Sequence, residues 1–163
     1  MIRLLLLDVD GCMTDGKIIY TEKGEEIKNF HVKDGFIIRS WLKMGHHVAI
    51  ITGRESVIVT HRAKELRIPY VFQGVDDKLM VAQKLCEDLG IGSDEVAAIG
   101  DDLNDYSMLQ WVGQGYTPKN GSHHLHNVAT VLENIGGDAV VREMIEKVID
   151  HNDEREKFLS LWI

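Results

Sequence analysis

The chain of 163 residues predicts an α/β fold, a doubly wound parallel sheet with helices on both faces. Three observations carry this. Short apolar runs alternate with stretches of helical periodicity along the whole length. Glycine stands just past several helical stretches, at Gly45, Gly90 and Gly113, where a helix is expected to stop. Several apolar runs close on reactive polar residues, as strands do at the ligand-binding edge of an open α/β sheet.

In chain order, strands are predicted over 3–7, 48–51, 70–72 and 96–99, with weaker ones near 115–116 and 130–132. Helices are predicted over 36–44, 56–66, 78–89, 103–112 and 140–150. One segment departs from the alternation. Residues 17–20 and 26–32 flank Thr21-Glu22-Lys23-Gly24 and predict a β-hairpin flap, about 17–32, standing over the cleft.

Composition bounds the class. With 44% hydrophobic and 27% charged residues, the chain reads as one globular domain, 1–163, able to bury a core without disulfides. A net charge of -8 argues against a basic stripe for nucleic acid. Only Cys12 and Cys86 occur, in no ligand spacing, which suits a reducing compartment. The leucine run Leu4–Leu7 is too short for a secretory or membrane segment, so a cytoplasmic location is expected.

The run ending in Asp8-Val9-Asp10-Gly11 places two carboxylates two residues apart, on the same side of an extended chain. Taken alone, it is equally a strand followed by an Asp-Gly turn. Three further strand ends or helix starts add Thr52-Gly53-Arg54, Lys78 after Gly74-Val75-Asp76-Asp77, and Gly100-Asp101-Asp102 with Asp105. A parallel sheet brings these together on one edge. The group suits phosphoryl transfer: Asp8 as nucleophile, Mg²⁺ on Asp8 and Asp101, and phosphoryl oxygens on Thr52 and the Gly53 amide. Lys78 supplies fixed positive charge, and Asp10 serves as general acid and then base.

These four motifs, in this order, resemble the haloacid dehalogenase-like phosphatase superfamily over nearly the whole chain. The resemblance implies that Asp8 is nucleophile and metal ligand, and that Asp10 is the acid/base and also offers its backbone carbonyl to the metal. It further implies that Thr52 and Lys78 hold phosphate, and that Asp101 is a metal ligand supported by Asp102 and Asp105. The gaps from Asp10 to Thr52 and from Thr52 to Lys78 leave no room for a cap domain. An open site of that kind either takes a macromolecular phosphate or borrows a wall from a neighbouring subunit.

Residues 8–16, the hairpin, His31-Val32-Lys33-Asp34-Gly35, Ile50-Ile51-Thr52-Gly53-Arg54, and Gly136-Gly137 before Arg142-Glu143 favour the borrowed wall. They resemble the 3-deoxy-D-manno-octulosonate (KDO) 8-phosphate phosphatase family. That resemblance implies a Mg²⁺-dependent homotetramer in which flaps and carboxyl-terminal tails of neighbours close the site. The apolar tail Phe158-Leu159-Ser160-Leu161-Trp162-Ile163 then docks either on its own core or on a neighbour. Two departures stand out: Ala139 replaces the family's third glycine, and Asn120-Gly121-Ser122-His123 differs from its usual loop.

Arg54 is expected to bind the sugar acid's carboxylate, and Asp34 to line the pocket. A nine-carbon sugar acid 9-phosphate is the competing substrate. A phosphomutase, or a non-catalytic oligomeric module of a sugar-nucleotide synthetase, is the competing class. His123, His124 and His126 read as a polar turn rather than a metal site, Trp41 and Met44 as core, and Arg62 as a solvated helix face.

Overall fold

The computed structural model describes residues 1–163. Six parallel strands form the sheet: β1 (Leu4–Leu7), β4 (His47–Ile51), β5 (Tyr70–Phe72), β6 (Val96–Ile99), β7 (Gln114–Thr117) and β8 (Thr130–Val131). Their spatial order is β5-β4-β1-β6-β7-β8. The chain winds outward from β1 through β4 and β5, then returns to the other side of β1 with β6. The point where the direction reverses lies beside β1, where the carboxyl ends of neighbouring strands leave a crevice. This is the predicted doubly wound architecture.

Alternation along the strands builds two cores. Leu5, Leu7, Val48, Ile50, Ala97 and Ile99 face α1 (Val32–Lys43), α2 (Val57–Leu66) and α5 (Val140–His151). Leu4, Leu6, Ala49, Ile51, Val96 and Ala98 face α3 (Lys78–Leu89) and α4 (Tyr106–Trp111). All four leucines of β1 are fully buried, and each contributes roughly 2 kcal/mol of transfer free energy. Trp41 and Met44 lie in the first core.

Several boundaries differ from the sequence reading. The flap pairs only β2 (Ile19–Tyr20) with β3 (Glu26–Ile27). The residues expected to extend its second strand instead lead into α1, which starts at Val32 rather than 36. His31 causes this: its Nδ1 accepts from the Lys33 amide at 3.1 Å and caps the helix. The predicted helix over 103–112 is a helical turn, Leu103–Asp105, followed by α4. Asp102 and Asp105 close a capping box on that turn. A short α6 (Arg155–Leu159), not foreseen, follows α5. No cap domain is inserted: the hairpin and α1 fill the space between β1 and β4, and α2 and β5 lie between Thr52 and Lys78.

Candidate active site

The carboxyl ends of β1, β4 and β6 meet as the sheet order requires. Asp8 follows β1 and is 4% exposed. After it the backbone makes a tight helical turn over Val9–Met13, interrupted at Gly11 with φ 92°. A side chain at Gly11 would strike the Asp101 carboxylate, so glycine is required on both counts.

Lys78, at the start of α3, reaches into this crevice with its side chain 1% exposed. Its Nζ donates to Asp8 Oδ1 at 2.8 Å and to Asp105 Oδ1 at 2.6 Å. The other Asp105 oxygen accepts from the amides of Asp101 and Asp102, at 3.0 and 3.3 Å. Asp105 therefore shapes the loop that presents Asp101 while anchoring the lysine. Asp102 is spent locally, accepting from the Leu103 amide. Thr52 is buried directly after β4. Its amide donates to the Phe72 carbonyl and its carbonyl accepts from the Val75 amide, which pins the Thr52-Gly53 turn over the crevice.

Electrostatically the crevice is short of positive charge. Burial pushes the Asp8 carboxyl well up, the Asp105 charge adds to this, and Lys78 opposes it. Burial, and then the same Asp105 charge, push Asp101 up to about 6. One ammonium faces three acids, so the cluster has an unmet demand for a cation. Ligand atoms of Asp8, Asp101 and Cys12 lie within 4.8 Å of one another. Burial and the neighbouring acids push the Cys12 thiol up, keeping it protonated. The two carboxylates are thus the hard donors able to hold a divalent ion such as Mg²⁺.

Comparison with known proteins agrees with this geometry. A family model described as haloacid dehalogenase-like hydrolase matches residues 70–144. The 3-deoxy-D-manno-octulosonate 8-phosphate phosphatase KdsC of Escherichia coli (strain K12) is 40% identical over 149 residues, 91% of this chain and 79% of the relative. The chain belongs to this phosphatase family.

The Yersinia pestis KdsC is 38% identical and covers 99% of this chain and 87% of its own. The Moraxella catarrhalis phosphatase, solved with magnesium, phosphate and KDO, superposes with a TM-score of 0.95 at 38% identity, covering 99% of this chain and 94% of that one. The cobalt-bound Haemophilus influenzae enzyme superposes with a TM-score of 0.88 at 31% identity, covering 93% of this chain and 90% of that one. Membership makes the protein a hydrolase of phosphoric monoesters.

In this phosphatase the remaining predicted residues are placed unequally. Asp10 lies at the crevice mouth, partly exposed, and Arg54 stands near it, with Nε 4.0 Å from Asp10 Oδ2. Asp34 does not join the carboxylate cluster. It is 2% exposed, and its Oδ1 accepts from the Arg142 amide at 2.8 Å. Ala139, which precedes α5, has no side-chain oxygen, so Asp34 of α1 caps α5 from a distance. Burial holds the Asp34 carboxyl up at about 6.

Arg62 corrects the expectation of a solvated face. Its side chain is 16% exposed, and it donates to the His31 carbonyl at 3.4 Å. His123 and His124 lie against each other in a turn, their rings tilted by 38° with centroids 3.9 Å apart. Trp162 of the tail packs on Phe36 of its own chain, with ring centroids 4.6 Å apart.

Sequence reasoning missed Lys28 and Glu26. Lys28 Nζ donates to Asp10 Oδ1 at 2.5 Å and to Glu26 Oε1 at 2.9 Å. That same Glu26 oxygen accepts from Arg54 Nη2 at 3.0 Å. The available signal was period two in the flap, which puts Glu26 and Lys28 on one side of an extended strand.

Proposed function

We propose that this phosphatase hydrolyses 3-deoxy-D-manno-octulosonate 8-phosphate to KDO and phosphate through an aspartyl-phosphate on Asp8. The observation that carries the reading is Asp8 held at 2.8 Å by the Lys78 ammonium beside Asp101. It occurs in a chain with a TM-score of 0.95 to an enzyme solved with magnesium, phosphate and KDO.

Asp8, Asp101 and the Asp10 carbonyl would hold Mg²⁺, which would supply the positive charge that lets an anionic nucleophile approach an anionic phosphate. The Asp8 oxygen attacks phosphorus, and the bond from phosphorus to the sugar oxygen breaks. Asp10 gives its proton to the departing alkoxide. Lys78, Thr52 and the Gly53 amide hold the phosphoryl oxygens as charge spreads over them. Asp10, now a carboxylate, takes a proton from water as that water attacks the phosphoenzyme. Phosphate leaves and Asp8 is restored. Arg54, anchored to the flap yet 45% exposed at its side chain, is placed to meet the sugar acid's carboxylate.

The assembly is a homotetramer in a cytoplasmic setting, in which neighbours cover the open crevice. Exposed Ile18, Ile19, Tyr20 and Ile27 on the flap supply an apolar surface for such contacts. No helix is long and apolar enough to cross a membrane.

The test is a panel of sugar acid phosphates of eight and nine carbons, assayed with Mg²⁺ for release of inorganic phosphate. Preferential hydrolysis of the eight-carbon substrate is expected. Preference for the nine-carbon esters would reassign the substrate, and phosphate transfer to a sugar acceptor would reassign the class to mutase. Absence of any hydrolysis would leave the chain as a non-catalytic module.

A further inference from the structure

Lys28 is out of place for a surface hairpin. It follows β3, yet its side chain is 1% exposed, while that of neighbouring Glu26 is 17% exposed. Taking an ammonium out of water is unfavourable unless carboxylates meet it, and here two do. One is Asp10, on the loop after β1, at 2.5 Å from Lys28. The flap itself pairs only two residues on each side, too few to hold a hairpin in place unaided. These charged contacts and the bond from Arg54 to Glu26 tie the flap to the loop after β1 and to the turn after β4, while Phe30 packs against the core.

We propose that Lys28 is a positioning residue for Asp10, clamping one carboxyl oxygen so that the other faces the leaving-group oxygen. The proposal rests on Asp10 being the general acid. A carboxyl on a short side chain turns freely about its last torsion, and proton transfer needs one oxygen within hydrogen-bond reach of the departing atom. Lys28 occupies Oδ1, while Oδ2 accepts no hydrogen bond and has the Arg54 Nε 4.0 Å away. Glu26 offsets the lysine's charge, so the clamp orients Asp10 without adding net positive charge beside it.

The experiment compares kcat/KM for the sugar acid phosphate and for p-nitrophenyl phosphate in wild type, Lys28→Met, Lys28→Arg and Asp10→Asn. This ratio reports only steps up to phosphoryl transfer onto Asp8. The alkyl ester needs a proton on its leaving oxygen there, whereas nitrophenolate leaves without one. Lys28→Met is expected to lower kcat/KM for the sugar phosphate about tenfold or more and for the aryl ester less than about threefold, as a defect in proton delivery does. Lys28→Arg should recover most of the loss, and Mg²⁺ affinity and thermal unfolding should stay near wild type.

Equal losses on both esters would show a structural role, and no loss on either would show an idle lysine. Each result overturns the proposal. Asp10→Asn separates the underlying reading. If it splits the two esters while Lys28→Met does not, Asp10 is the acid and the clamp is wrong. If Asp10→Asn produces no split, the acid assignment falls and the clamp falls with it.

Discussion

Lys78 Nζ stands 2.8 Å from Asp8 Oδ1, although 70 residues separate them in the chain. The same ammonium is 2.6 Å from Asp105, so two buried acids share one cation. The lysine holds the nucleophile in position and lowers the repulsion between carboxylates that burial would otherwise make prohibitive. Its own ammonium is correspondingly held above the usual lysine range: burial works against this, and the charges of Asp8 and Asp105 outweigh it.

Removing that ammonium should be felt in the fold as well as in turnover. Lys78→Met is expected to destabilise the metal-free protein by about 3–5 kcal/mol, because Asp8 and Asp105 are left buried without a counter-charge. Urea unfolding with and without Mg²⁺ checks this. A midpoint equal to wild type would contradict it.

Asp8→Asn tests the nucleophile. Turnover should vanish while the metal-free protein stays at least as stable as wild type, since the change removes one of the crowded charges. The rise in thermal midpoint that Mg²⁺ gives wild type should also be lost. Phosphate release and a Mg²⁺ melting series read both effects. Near-normal turnover would mean that another residue attacks.

Asp34 predicts a pH dependence of stability unrelated to catalysis. Its folded-state carboxyl titrates at about 6 against a reference of 3.8. The folded protein therefore binds this proton more tightly than the unfolded chain, and stability is greatest below about pH 4. That contribution, on the order of 3 kcal/mol, is lost as pH rises through about 6. Asp34→Asn should flatten the decline between pH 4 and 7 in urea unfolding. Parallel curves for the two proteins would exclude Asp34 as its source.

Ala139 offers a gain. It occupies the left-handed region at φ 59°, where the family pattern places a glycine. The backbone has kept the glycine conformation and tolerates the strain of a Cβ there. Ala139→Gly should stabilise the protein by about 0.5–1 kcal/mol, the left-handed strain relieved less the added freedom of the unfolded chain. Equilibrium unfolding decides it, and a destabilised variant would refute the strain.

Arg54→Ala should raise KM for a sugar acid phosphate roughly tenfold, the loss of one charge-assisted hydrogen bond. KM for a phosphate ester without a carboxylate should change little. Equal effects on both would place Arg54 outside carboxylate recognition.

Much of the architecture was legible because it depends on local pattern. The continuous apolar runs at β1, β4 and β6 and the glycine past α3 at Gly90 each report a pattern confined to a few residues. The flap was harder. Residues up to Val32 carry β-branched and aromatic side chains that read as strand, but His31 caps a helix there, and Lys28 turns inward to a carboxylate 18 residues earlier. The split of the 103–112 helix came from a capping box, and α6 is tied down by Glu154, whose carboxylate meets His46 at 2.7 Å.

The sequence by itself determined the chemistry on offer, acids, a lysine and a hydroxyl at the ends of apolar runs, since residue type and strand period are local properties. Only the tertiary structure decided which charge meets which. It seated Lys28 on Asp10, shared Lys78 between Asp8 and Asp105, and sent Asp34 to cap a helix 108 residues away. Such pairings are settled by desolvation: a buried charge takes whichever partner the packed chain brings within reach, and no spacing along the chain encodes that distance.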